Sequence, residues 1–119
     1  MIEDRTAPHW RWMLRGAALY NLVVAVPGLL LAAGTNDRIV ALLVGCFGLV
    51  YAMVSRQPAR LGPVLWAGVI GKLGVVALLL PEVRAGLAAP GTGWILLGDL
   101  AFTAAFLAFL LRRDANQAA

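Results

Sequence analysis

Charged residues are scarce in this sequence of 119 residues, at 13% of the total, whereas soluble domains average about 25%. Cysteine and histidine each occur once. The single cysteine excludes an internal disulfide and a cysteine-cluster metal site, and the single histidine leaves too few soft ligands for zinc or haem. An enzyme needs a nucleophile with a base, or a metal set. We therefore predict a protein that is not an enzyme and that uses no cofactor or metal.

Apolar residues take the place of the missing charge and make up 61% of the sequence. They form four long runs, each close to the roughly 17–25 residues that cross a bilayer core. The first run exceeds the roughly 7–15 apolar residues of a signal peptide, so we expect it to be retained as a spanning helix. The sequence predicts an all-α polytopic membrane protein, with residues 1–119 in a single four-helix transmembrane domain. The predicted helices cover about 10–33, 38–55, 63–80 and 93–111.

The arginines are unevenly distributed over the ends of these runs, with seven on one side of the predicted membrane and two on the other. Cytoplasmic loops carry the excess of positive charge in membrane proteins. We therefore predict an up-down bundle in the bacterial inner membrane, with both termini cytoplasmic and the lipid bilayer as partner. This distribution accounts for the net charge of +4 without a nucleic-acid partner. The richer side holds Arg5, Arg11, Arg15, Arg56, Arg60, Arg112 and Arg113; the other holds Arg38 and Arg84.

Small residues recur at spacings of three and four along the predicted helices. Such stripes let another helix approach closely in a membrane. Cys46 lies off the stripe of the second helix, and we interpret it as a small buried hydrophobic residue. The predicted helix-packing residues are Ala25, Gly28, Gly45, Gly48, Ala52 and Gly71.

Lys72 and Asp99 lie deep inside the apolar runs, well away from the arginines at the ends of these runs. A charge at the bilayer centre costs at least about 2.5–3.5 kcal/mol, so each residue needs compensation. At a rise of 1.5 Å per residue, Lys72 lies about 12 Å and Asp99 about 9 Å from the external end of its helix. We predict that they pair. Asn21 and Tyr51 share a layer one to two turns deeper, and we interpret all four residues as one candidate ligand-binding or proton-binding network.

Two functions remain open for this network. In the first, Lys72 binds an anionic group or exchanges a proton, Asp99 is its counter-ion, and Asn21 and Tyr51 orient a small ligand. In the second, the chain is a non-catalytic accessory or assembly subunit of a larger membrane complex, and the ion pair only fixes the helix register. The partner is then another membrane protein, whereas the first function also allows a homo-oligomer.

The segments Tyr20-Asn21, Gly71-Lys72 and Gly98-Asp99, together with Tyr51, resemble patterns in uncharacterised small four-helix bacterial inner-membrane proteins. The resemblance spans most of the chain and implies no particular activity. Length and span count are also similar to those of the small multidrug-resistance transporters. That family depends on a membrane-embedded glutamate in its first helix, where this sequence has Asn21 and no acid. We therefore do not predict the activity of that family for this protein.

Overall fold

The computed structural model describes residues 4–118, and it describes their side chains as far as residue 113. Four helical segments of this range are long and apolar enough to cross a membrane, and Pro58–Arg84 is counted as one of them. The prediction of an all-helical protein with four candidate transmembrane helices is confirmed. The elements are α1 (Pro8–Leu31), α2 (Thr35–Arg56), α3 (Pro58–Leu61), the 3₁₀ turn (Gly62–Val64), α4 (Leu65–Arg84) and α5 (Thr92–Ala118).

The chain folds as two compact units, Met1–Gly62 and Pro63–Ala119. In the first unit α1 packs against α2 along small residues. A Cβ atom built on Gly28 would lie 3.0 Å from the Cβ of Ala41, and one built on Gly45 would lie 3.3 Å from the Cβ of Ala25. Ala25 precedes Gly28 in α1, whereas its partner Gly45 follows Ala41 in α2. The two helices therefore form an antiparallel hairpin. Its backbones approach more closely than larger side chains would allow.

Local sequence explains where the helices of this hairpin begin and end. Pro8 occupies the first turn of α1, where its missing N–H has no intrahelical partner to lose. Asp37 lies in the first turn of α2 and Arg56 in the last. These charges oppose the partial charges of the helix ends and stabilise α2.

In the second unit α4 packs against α5. The connection between them contains Gly86 and Gly91, both with positive φ, at 74° and 89°. This backbone region is open to glycine at little steric cost. A Cβ built on Gly93 would meet Val83 at 3.7 Å, an ordinary van der Waals contact that brings the end of α4 beside the start of α5.

Several helix boundaries differ from the predicted ones. The first helix covers 8–31 rather than 10–33, and the second begins at residue 35 rather than 38. The third continues through Pro81 to Arg84, and the fourth reaches Ala118 rather than 111. Apolar runs mark the part of a helix that suits the bilayer, but backbone hydrogen bonds continue into polar residues. At Pro81 the helix continues because the proline carbonyl still accepts a hydrogen bond from the N–H of Ala85, at 3.0 Å.

The structure also corrects the interpretation of Cys46 as a buried residue, because its side chain is exposed. Cys46 follows Gly45, and successive residues of an α-helix are rotated by about 100°. Gly45 faces α1, and the rotation carries Cys46 off that contact. Its small size therefore has no packing role against α1.

Candidate functional site

Lys72 and Asp99, which lie far from the ends of their apolar segments, meet in the second unit. Lys72 lies on α4 and Asp99 on α5, and the Nζ of Lys72 donates a hydrogen bond to Oδ1 of Asp99 over 2.7 Å. The two residues are only 6% and 8% exposed. A short charge-assisted hydrogen bond of this kind is among the stronger polar contacts in proteins.

Two further residues of α5, Thr103 and Phe102, lie close to the ion pair. The hydroxyl of Thr103 donates to the backbone carbonyl of Asp99 at 2.7 Å, so this hydroxyl is directed to the helix backbone. The ring centroid of Phe102 lies 6.0 Å from the Nζ of Lys72, within the outer range of a cation–π interaction. The two members of the pair are therefore buried, and Lys72 lies beside an aromatic ring.

The net charge of the pair decides what the arrangement can do chemically. As an ion pair it is neutral, and neutrality limits the desolvation penalty that either charge alone would incur. Adding one anion, or removing one proton, leaves an uncompensated charge at the same depth. Adding an anion and a proton together restores neutrality. An anion can therefore replace Asp99 beside Lys72 without leaving a buried net charge only if a proton enters with it.

Asn21 and Tyr51 lie in the first unit, where both are buried. The side-chain amide of Asn21 donates to the carbonyl of Val44 on α2 at 3.0 Å. A Cβ built on Gly48 would lie 3.1 Å from the Cβ of Asn21, so the absence of a side chain at Gly48 lets Asn21 reach across. The ring of Tyr51 lies 6.2 Å from that of Phe47. That these residues join the ion pair in one network stays a prediction.

The predicted helix-packing residues fall into two groups. Ala25, Gly28, Gly45 and Gly48 lie in the contact between α1 and α2, and the carbonyl of Ala52 accepts a hydrogen bond from the Ser55 hydroxyl of its own helix. Gly71 differs from them. Within the described residues, a Cβ built on Gly71 or on Gly74 meets nothing within 4 Å. Their side of α4 therefore offers open space where the sequence pattern predicted tight packing.

One polar cluster was not predicted from the sequence, and we call it the Asp4–Arg11 clasp. The guanidinium of Arg11 lies 3.2 Å from the carboxylate of Asp4 and donates to the carbonyls of Ser55 and Arg56, at 3.3 and 2.9 Å. The carboxylate also accepts from the N–H of Ala59 at 3.1 Å. The clasp thus fastens the segment before α1 to the end of α2 and the start of α3.

The clasp has a local sequence signal and a distinct electrostatic character. Asp4 accepts hydrogen bonds from the N–H and hydroxyl of Thr6, at 2.9 and 2.6 Å; aspartate favours such a turn with the residue two positions on. Burial raises the pKa of the Asp4 carboxyl. The hydrogen bonds from Thr6 and Ala59 and the charge of Arg11 outweigh burial and lower that pKa below 3.8. The turn can be predicted from the sequence, but the contacts of Asp4 and Arg11 with residues 55–59 cannot.

Among the residues that the structure describes, no group of three histidine, cysteine, aspartate or glutamate side chains could hold a metal ion. Comparisons with protein-family models, with curated proteins and with solved structures give no match to this chain.

Proposed function

We propose that this chain is a multi-pass protein of the bacterial inner membrane in which the Lys72–Asp99 pair binds a small anion together with a proton. The observation that carries the proposal is the buried contact of 2.7 Å between the two charges. Ionisable residues inside transmembrane segments are costly and commonly mark ion or proton pathways. A pair that served only to stabilise the fold would be a poor solution, because apolar residues of similar volume often stabilise at least as well.

The orientation that we propose places both termini in the cytoplasm, with the helices in an up-down bundle. Four candidate spans return the chain to the side on which it began. Seven of the nine arginines then fall on the cytoplasmic side, as the bias of short loops toward positive charge requires. The loop between α4 and α5 is external in this arrangement.

In the proposed mechanism an incoming anion replaces the Asp99 carboxylate as the partner of the Lys72 ammonium. A proton that enters with the anion binds to the carboxylate of Asp99 and makes it neutral. The charge of the site is zero before and after this exchange, so no isolated charge is buried at any stage. Release reverses both steps.

The experiment uses the full chain in liposomes that contain a pH-sensitive dye, with an inward gradient of chloride, nitrate or phosphate. We expect the anion gradient to acidify the lumen, and a clamped membrane potential to leave the rate unchanged. Lys72→Met and Asp99→Asn should abolish the signal. Arg84→Gln, which removes an exposed charge from the end of α4, is the matched control and should retain it. Equal signals from all four proteins would contradict the proposal.

A second candidate function is that of an accessory subunit, and the open side of α4 favours it. Ala67, Gly71 and Gly74 are exposed on this helix, and small residues suit close helix–helix contact in a membrane. The space beside Gly48 is already filled by α1, so a partner helix would pack against Gly71. Co-purification from native membranes tests this candidate: Gly71→Leu should release a bound partner, while Ala89→Leu, at an exposed position in the loop, should not.

A further inference from the structure

We propose that the hairpin of α1 and α2 carries a binding site for one anionic phospholipid, with its headgroup at Arg15 and Trp12 and an acyl chain along α1. The site lies outside the Lys72–Asp99 pair and does not depend on the function proposed for that pair. It rests on three features of the first unit: its charge balance, one aromatic–cation contact, and a continuous apolar face of matching length.

The charge balance comes from the Asp4–Arg11 clasp. Asp4 is the acidic residue that the described structure places at this end of the hairpin, and its charge is compensated by Arg11 at 3.2 Å. The clasp also brings the residues around Asp4 to the end of α2 and the start of α3. The other guanidinium groups at this end can therefore attract an anion, because the charge of Asp4 that would repel it is already compensated. Those that are exposed belong to Arg5, Arg15, Arg56 and Arg60.

Arg15 is the member of this group with a defined position at the apolar boundary. Its guanidinium carbon lies 4.9 Å from the ring centroid of Trp12, which is cation–π distance. More than half of the Trp12 side chain is exposed. Tryptophan favours the headgroup level of a bilayer, and the ring holds the arginine at that level. A phosphodiester oxygen can then accept from the guanidinium edge while the ring face stays covered.

An apolar track continues from this contact along the same face of α1. Leu19, Val23 and Val26 are each more than half exposed, and with Trp12 and Arg15 they follow one another at spacings of three and four. Residues at this spacing line one side of a helix. The distance from Arg15 to Val26 is about 16 Å along the axis, close to half of the roughly 30 Å hydrocarbon core. One lipid of a single leaflet fits the arginine and the tryptophan ring with its headgroup and the apolar face with an acyl chain. A free phosphate would contact only the arginine.

The test is lipid competition on the purified full chain in detergent micelles that contain equimolar phosphatidylglycerol and phosphatidylcholine. The retained lipids are counted by native mass spectrometry. We expect the wild-type chain to retain phosphatidylglycerol preferentially. Arg15→Gln should lower the ratio of the two retained lipids about fivefold, the equivalent of about 1 kcal/mol for one arginine near a charged headgroup. Arg15→Lys keeps the charge and should retain most of the preference, and Trp12→Leu should lower it.

Arg38→Gln is the matched control, because Arg38 is exposed at the opposite end of the same hairpin. It should leave the lipid ratio unchanged. Equal losses in Arg15→Gln and Arg38→Gln would overturn the proposal in favour of diffuse attraction. The absence of any preference in the wild-type chain would also overturn it. Inorganic phosphate is added in a separate arm; if it displaces phosphatidylglycerol at millimolar concentration, the site recognises a free anion and not a lipid.

Discussion

Nζ of Lys72 and Oδ1 of Asp99 lie 2.7 Å apart on two packed helices of one unit, and both residues are almost fully buried. Each charge therefore compensates the other. We expect the stability of the unit to depend on keeping both residues or replacing both.

This dependence predicts a non-additive mutant cycle. Lys72→Met and Asp99→Leu should each destabilise the protein by about 3–5 kcal/mol, because each leaves one charge buried without its partner. The double variant should lose less than the sum of the two, since it leaves neither charge in the apolar setting. Thermal melting in detergent measures all three. Additive losses would show that the two residues do not interact.

Two glycines provide a matched pair for the packing of the helices. A Cβ at Gly48 would lie 3.1 Å from the backbone oxygen of Ala18, so Gly48→Ala requires the backbone of α1 or α2 to shift by a few tenths of an ångström. We expect a loss of about 1–3 kcal/mol, typical of overpacking. Gly71→Ala adds a methyl group in open space and should be neutral, or stabilising by up to about 1 kcal/mol, because alanine favours helix. Melting temperatures of the two variants test this; similar losses would contradict the assigned environments.

The Asp4–Arg11 clasp predicts a specific dependence of stability on pH. The pKa of Asp4 is lowered in the folded protein, so the ionised carboxylate stabilises the fold. This contribution is fully present above the ordinary pKa of 3.8 and is lost as the pH falls through the lowered value in the folded state. The pair is partly exposed, so the effect should be under about 1 kcal/mol.

Melting of the wild-type chain and of Asp4→Asn between pH 7 and pH 2 measures that contribution. The difference between the two should be constant from pH 7 to about pH 5 and should shrink below pH 3.8. Asp37→Asn is the control, since that residue lies at the other end of α2. A difference between wild type and Asp4→Asn that is unchanged at pH 2 would show that the carboxylate charge is not what stabilises the clasp.

The arginine distribution predicts the orientation of the chain in the membrane. A reporter that is active only in the cytoplasm should be active when fused after Ala119 and inactive when inserted in the loop at 87–90. A periplasmic reporter should give the reverse pattern. Activity of the periplasmic reporter at the carboxyl terminus would show that the proposed orientation is wrong.

The amino-acid sequence by itself determined that this protein has four helices long and apolar enough to span a membrane. Four apolar runs of bilayer length predict four helices irrespective of how those helices pack, because burial in lipid requires only length and low polarity. The pairing of Lys72 with Asp99 was also predictable, since each apolar run that holds a charge needs an opposite charge at similar depth. Helix ends were less predictable because hydrogen bonding continues beyond the apolar part, as at Pro81 and at residues 112–118.

Only the tertiary structure decided which small residues pack against a neighbouring helix. Gly48 and Gly71 both belong to regular stripes in the sequence, but Gly48 meets α1 while the Gly71 side of α4 is open in the described chain. Spacing places residues on one face of a helix and does not state what covers that face. For the same reason the contacts of Arg11 with the carbonyls of Ser55 and Arg56 could not be read from the sequence: they join segments that are distant along the chain, through backbone groups that every residue type possesses.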